Sequence, residues 1–404
     1  MSTQSTPSIL FTHRTAQQGF RLLELPPELA DLLSSDNPPT LQLKSPSPTS
    51  TIAAAADYVN LCTGTQTYSI RQVQSSNSLH ILKPSLGVGV RKDDLGIVEE
   101  DVDMDADTEY IPNIEGTVTS IAKCGSTLEL HKPAEGFSAE LFLRALVRVY
   151  EKGEVESDNG NNDAGLTGKE AAELRRGILE RVFADIPVSW AECERGWVVM
   201  CAFVNLSPGL ESESSCWRPS AEMKLEVWKR AVEGSVLQGI DLGRQFLVRD
   251  LWRSLLDDDG LEPFPRPLFD AVLRRIRESG DGADLVTLES EMKWASIDKD
   301  ICVRWVGEVY LETMAPGPTS AVGESEFLNA WKDQLPETWR EHVSISILPE
   351  KCYMHPELKT ICFATEADRQ KVKKNLPTDA SAATAAKKTR NWHELFKNQK
   401  RQKR

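Results

Sequence analysis

The sequence predicts an α+β chain: an N-terminal β-barrel-like domain followed by tandem winged-helix domains. Three observations predict it. Apolar residues alternate with polar ones over residues 57–83 and again over 117–133, the period of half-buried strands. From Ser138 onward the apolar period changes to that of amphipathic helices. Helices followed by extended, hairpin-like segments then recur three times, an order that suggests repeated modules. The predicted boundaries are 1–135 for the β unit, then 136–216, 217–318 and 319–404 for three winged-helix modules.

Taken in order, Phe20 to Leu33 read as a short strand and a helix. Pro26-Pro27 ends the strand, and Pro27 suits the first helical position, where its missing N–H costs nothing. Residues 34–56 form a Ser/Pro/Thr/Ala insert with one candidate strand at Leu41 and Leu43. It also carries the dipeptides Ser45-Pro46 and Ser47-Pro48, candidate proline-directed phosphorylation sites in what reads as a plain loop. Asp57 to Lys83 read as a three-stranded meander. Val59 and Leu61 alternate before Gly64, Tyr68 and Ile70 alternate with Ser69 and Arg71, and Ser75-Ser76-Asn77-Ser78 reads as a turn. Residues 93–109 hold nine acids and no base, so they repel one another as a loop. Val118, Ile121, Leu128 and Leu130 resume the strand pattern around a turn at Gly125-Ser126.

Ser138 predicts the cap of a helix that buries Leu141, Phe142, Ala145, Leu146 and Val149. After a polar loop, Thr167 predicts the cap of a second helix. Trp190 to Val204 read as a hairpin turning at Arg195-Gly196. Further helices are predicted over 221–233 and over 265–278, the latter burying Leu268, Phe269, Val272, Leu273 and Ile276 and ending at Gly280. Two more follow, over 301–314 and over 325–336. Lys351 to Ala364 read as a hairpin turning at Pro356-Glu357. The last residues, 387–404, carry eight Lys or Arg against Glu394 alone, with Trp392, Leu395 and Phe396 interleaved.

Composition narrows the function. A net charge of −14 over 404 residues argues against a general nucleic-acid coat protein. No apolar run reaches the roughly 18 residues a membrane helix needs. The opening residues lack the basic-then-apolar order of a secretory signal; their Ser/Thr-rich, acid-poor composition leaves a transit peptide as the lesser alternative to a plain terminus. Eight cysteines without a CxxC pair read as reduced thiols. His342, Cys352, His355 and Cys362 have partial zinc-ligand spacing, but the hairpin accounts for them better. No cofactor is predicted.

Catalytic motifs are incomplete. Gly165 to Lys169 resemble a phosphate loop, yet Asp163 replaces its first glycine and Glu170 its Ser or Thr. Ser120 to Lys123 match SxxK without the partner motifs of that chemistry. A non-enzyme is expected.

Residues 20–29 (FRLLELPPEL) and 61–82 (LCTGTQTYSIRQVQSSNSLHIL) resemble the sister-chromatid-cohesion subunit of the alternative replication-factor-C clamp loader. An LLELP-like strand comes first. Thr63, Thr67, Tyr68, Ile70 and Arg71 then match the family's T-x-x-x-T-Y-x-[IVL]-[RK] strand. Ser76, Asn77, Ser78 and Leu79 match the S-N-S-L strand that follows. Residues 217–228 and 327–337 resemble family segments downstream.

The resemblance implies that the β unit pairs with a small cohesion subunit, and with the tail of a large ATPase subunit, in a composite barrel. The winged-helix modules would touch DNA and the leading-strand polymerase. The complex would load or unload PCNA in the nucleus, with ATPase work on other subunits. On this reading Tyr68, Ile70, Arg71, Asn77 and Leu79 are candidate partner contacts.

Helix-turn-helix logic makes Arg274, Arg275 and Arg277 candidate phosphate contacts. The tail cations Lys387, Lys388, Arg390, Lys400, Arg401, Lys403 and Arg404 are stronger electrostatic candidates, for DNA or for nuclear import. The departures from the family are the inserts at 34–56, 91–110 and 152–165 and the basic tail. The alternative function is a β-barrel plus winged-helix subunit of a transcription initiation factor.

Overall fold

A computed structural model describes residues 10–13, 16–46, 58–85, 117–134, 136–152, 168–206, 215–257, 260–277, 288 and 291–364. These fall into two compact units, one of residues up to 146 together with 177–197, the other of residues 147–176 and 198 onward. The acidic block, the second Ser-Pro dipeptide, Gly280 and the basic tail lie outside the described residues.

The first unit is built on an open sheet. Its strands are β1 (Leu10–His13), β2 (Leu22–Glu24), β3 (Gln42–Lys44), β4 (Asn60–Cys62), β5 (Thr67–Ser85) and β6 (Thr117–His131), with helix α1 (Pro27–Leu33) after β2. The order is β1-β6-β5-β4-β3, with β2 also paired to β6. β1 and β2 run parallel to β6, and the other pairs are antiparallel. The strand–helix reading of residues 20–33 holds, with Pro27 opening the helix, and so does the strand at 42–44.

Two predictions fail. The sheet does not close into a barrel: among the described residues nothing joins β1 to β3. Nor is there a meander, because β5 is one 19-residue strand. Gln74 pairs with Ser126 and Leu79 with Cys124, so Ser75 to Ser78 are a bulge inside the strand, not a turn. Gly125-Ser126 likewise lie within the single strand β6. Small polar residues suit bulges as well as turns, so the composition alone does not separate them.

Helices complete this unit. Helix α2 (Glu140–Leu146) buries Leu143, with Ala139 buried just before it, whereas the predicted stripe residues Leu141, Ala145 and Leu146 are exposed and Val149 lies in a strand beyond the helix. The later part of α3 (Gly168–Ala184) and most of α4 (Trp190–Val199) also belong here. The predicted hairpin at Arg195-Gly196 is therefore helix α4. Trp190, Cys193 and Trp197 recur at helical spacing, Cys193 and Trp197 are buried, and a Cβ on Gly196 would press on Leu143 and Ala139. Phe183 packs edge-on against both tryptophans.

The second unit holds a sheet of β7 (Arg148–Tyr150), β8 (Phe203–Val204) and β9 (Cys216–Pro219), with β7 parallel to β9. Helix α5 (Ala221–Gln238) starts at Ser220, whose Oγ accepts from Met223 N at 3.2 Å, and stops at Gly239 in the left-handed region with φ 64°. Then come β10 (Phe246–Leu247), α6 (Val248–Arg253), α7 (Arg266–Ile276) and β11 (Trp294–Ala295), with β10 and β11 paired. The predicted stripe of α7 is buried in full.

Helix α8 (Lys299–Met314) is capped by Asp298, which accepts from Ile301 N at 2.8 Å. After it, β12 (Val322–Gly323), α9 (Glu324–Asp333), β13 (Tyr353–Met354) and β14 (Thr360–Phe363) form the last round, with the sheet order β12-β14-β13. The hairpin prediction holds here. Two 3-10 helices, Glu337–His342 and Ile345–Ile347, lie between α9 and β13, where the reading placed no defined helix.

Two buried tryptophans anchor this core. Trp228 Nε1 donates to Gln334 O at 2.8 Å, and Trp331 Nε1 donates to Val303 O at 3.0 Å, so neither indole N–H is left without an acceptor. Gly307 on α8 lets Trp331 lie against the helix, since a Cβ there would clash with three atoms of the indole ring. Among the described residues no helix is long and apolar enough to cross a membrane.

Candidate partner-docking surface

One open edge of the sheet is its β3 side. Among the described residues β3 pairs with β4 alone, so its outer N–H and C=O groups face outward as a strand template. Leu43 at its centre is 69% exposed, and Val59, which leads into β4, is exposed too. Along the β5–β6–β1 arm, Leu79, Leu82 and Phe11 are also exposed. Burying such side chains removes apolar area from water, which favours a partner at roughly 25 cal/mol per Å² of area covered.

Behind this edge lies a polar lock that the sequence reading missed. Glu192 is 5% exposed and sits in the first turn of α4. Its carboxylate accepts from the hydroxyls of Thr67 and Ser189, from Ser189 N at 3.2 Å and from Phe137 N at 3.4 Å. Glu192 N in turn donates to Ser189 Oγ at 3.3 Å. Ser189 and Glu192 thus form a reciprocal capping box, and the four residues Ser189-Trp190-Ala191-Glu192 carried its signature.

Thr67 Oγ1 also accepts from Ser189 N at 2.6 Å, tying β5 to α4. Asn60 Nδ2 donates to Pro187 O at 2.7 Å. Lys44 Nζ donates to Phe183 O at 3.1 Å and Val188 O at 3.2 Å. Strands β3, β4 and β5 therefore each hold the α3–α4 connection by one side chain.

The predicted contact residues do not share one environment. Tyr68 is 4% exposed; it packs with Leu29 and Leu61, and its hydroxyl donates to Gln66 Oε1 at 2.8 Å. Ile70 is half-buried against the same cluster. Arg71, opposite Glu129, is exposed, as are Asn77 in the bulge and Leu79. Thr63 shapes the turn before β5, its Oγ1 accepting from Gln66 N at 2.9 Å. Much of the motif that marked the strand is internal scaffolding.

The arginines of α7 are half-buried. Burial pulls the Arg274 guanidinium below its ordinary range; Asp270 opposes this, while Arg175 and Arg277 add to it. Arg275 lies near enough to Glu308 to favour its charged form. The tail cations from Lys387 to Arg404 lie outside the described residues. Among the described residues no three metal-ligating side chains come together, and His355 Nδ1 is hydrogen-bonded to Thr360 O at 2.9 Å within the hairpin.

A family model described as sister chromatid cohesion protein Dcc1 matches residues 20–379. The chain belongs to the Dcc1 family. This agrees with the resemblance carried by residues 20–29 and 61–82, and the Dcc1 match extends across both compact units. Membership gives the chain a role in sister chromatid cohesion, and the incomplete catalytic motifs are consistent with a non-catalytic member. No individually curated protein matches the chain.

Proposed function

We propose that the chain is a non-catalytic subunit of an alternative clamp loader that loads or unloads PCNA in the nucleus. The open edge at β3, with Leu43 exposed on it, carries this reading. Strands from a small cohesion subunit and from a large ATPase subunit would extend the sheet into a composite barrel. A sheet that lacks strands on its own is completed by strand addition, in which main-chain bonds supply affinity.

The rounds α5–β10–α6–α7–β11 and α8–β12–α9–β13–β14 support winged-helix modules, because each sets a helix, a short strand, a further helical segment and a closing strand or hairpin in that order. These modules would meet DNA and the leading-strand polymerase. Arg274, Arg275 and Arg277 are half-buried, so the tail cations supply more of the phosphate attraction. Neutralising Lys387, Lys388, Arg390, Lys400, Arg401, Lys403 and Arg404 would then flatten the salt dependence of DNA binding, since fewer counterions are released.

Co-expression tests the docking reading. The full chain is expressed with the small subunit and the tail of the large subunit, and co-purification is scored. The chain should copurify with both, and Leu43→Asp should reduce recovery of the complex at least about tenfold, as expected for a charge placed in a desolvated strand edge. Full recovery with Leu43→Asp would remove β3 from the interface.

A further inference from the structure

Ser45 follows directly on edge strand β3. It is exposed, and its hydroxyl makes no hydrogen bond to the described residues. Pro46 comes next, which biases the backbone at Ser45 to an extended conformation. Among the described residues it is the only Ser or Thr that precedes a proline. An extended, accessible Ser-Pro segment is what proline-directed protein kinases accept.

The residue before it is already engaged. Lys44 reaches in the other direction, its ammonium shared between the carbonyls of Phe183 and Val188 at 3.1 and 3.2 Å. Phe183 lies in the last turn of α3, where its carbonyl has no partner within the helix and accepts also from Ile186 N at 3.3 Å just beyond it. Lys44 thus supplies donors at the negative end of that helix from a distant strand.

We propose that Ser45 is a phosphate acceptor for a proline-directed protein kinase, and that its phosphate recruits Lys44 away from Phe183 and Val188, loosening the α3–α4 connection from β3. In the transfer, Ser45 Oγ attacks the γ-phosphorus of kinase-bound ATP. The Oγ–P bond forms as the bond from that phosphorus to the β,γ-bridging oxygen breaks. ADP leaves with the electron pair, and the hydroxyl proton passes to the kinase's carboxylate base. The new group carries about −1.5 to −2 charge at neutral pH. Phosphate and ammonium are then both ionised, so their pairing gains the attraction of opposite charges, which a neutral carbonyl does not offer, and the long Lys44 stem is free to turn back toward it. The inference rests on the bonds Lys44 makes, so it stands whether or not β3 docks a partner.

The test uses the full chain, treated with a proline-directed kinase and ATP, with sites mapped by mass spectrometry. Hydrogen exchange is then followed over residues 183–192. Phosphate is expected on Ser45. Exchange there should be roughly tenfold faster in the phosphorylated wild type than in phosphorylated Ser45→Ala, which keeps every other modified site. Lys44→Met without kinase should reproduce the acceleration. Absence of phosphate from Ser45 overturns the proposal, and so does a phosphorylated Ser45 with unchanged exchange.

Discussion

The Thr67 hydroxyl donates to the Glu192 carboxylate, joining residues 125 apart in the chain. The pair holds the start of the longest strand against the first turn of a helix, with Ser189 completing the contact on the helix side. A carboxylate this deeply buried is tolerated only because hydrogen-bond donors surround it. Glu192→Ala removes the acceptor and strands those donors, so the urea midpoint should fall by the equivalent of roughly 1.5–3 kcal/mol. Pairing Thr67→Val with Glu192→Gln in a double-mutant cycle should give a coupling of about 0.5–3 kcal/mol. Additive effects would show that the two side chains do not act together.

Asp270 makes stability depend on pH. It is buried beside Arg266, whose Nε donates to it at 3.1 Å, yet burial outweighs that guanidinium and raises the carboxyl above its ordinary 3.8. The unfolded chain then releases this proton at a lower pH than the folded one. Above 3.8 the unfolded state binds fewer protons, so stability falls as pH rises through the folded-state value. Glu308 is shifted in the same direction, again by burial first. Denaturant midpoints taken from about pH 4 upward should therefore decline, and Asp270→Asn should reduce that decline. An identical slope in the variant would exclude Asp270 as its source.

Thiol chemistry should single out Cys352. It is half-buried, whereas the other seven cysteines are buried. Burial pushes the Cys193 thiol up to about 12, and it raises Cys62, Cys201 and Cys302 as well. Thiolates are the reactive form, so these four are nearly inert at neutral pH in the folded chain. A maleimide reagent, read by peptide mapping over time, should label Cys352 at least about tenfold faster than any of the seven, and label all eight only in denaturant. Early labelling of Cys193 would mean that α4 opens readily.

What could be read from the sequence follows how local the cause was. Helices α5 and α8 were legible over 221–233 and 301–314 from their apolar period alone; the caps Ser220, Gly239 and Asp298 were passed over, so α5 was read five residues short and α8 two residues late. The stripe of α7 is legible because one face of one helix decides it. The bulge in β5 was not. From Gln74 to Leu79 the strand advances five positions while β6 advances two, so three extra residues exchange the faces that odd- and even-numbered side chains take. A break in alternation looks the same for a turn and for a bulge, and only the partner strand separates them.

Helix α4 was hidden differently. Its aromatic and β-branched residues imitate strand alternation, and the Ser189-to-Glu192 box that contradicts this was passed over. At the docking surface, Leu43 was legible as part of a short strand. That Tyr68 faces inward was not, because burial depends on Leu29 and Leu61 arriving from elsewhere in the chain.

Gly307 and Trp331 carry a consequence for how this chain is free to vary. A glycine inside a helix costs roughly 1 kcal/mol relative to alanine, and here the vacant side-chain position is filled by the indole of Trp331. Neither residue is then replaceable by itself: alanine at 307 has no room, and a smaller ring at 331 leaves a cavity. The two positions constitute one heritable unit, and descendants that change one should be found to have changed the other.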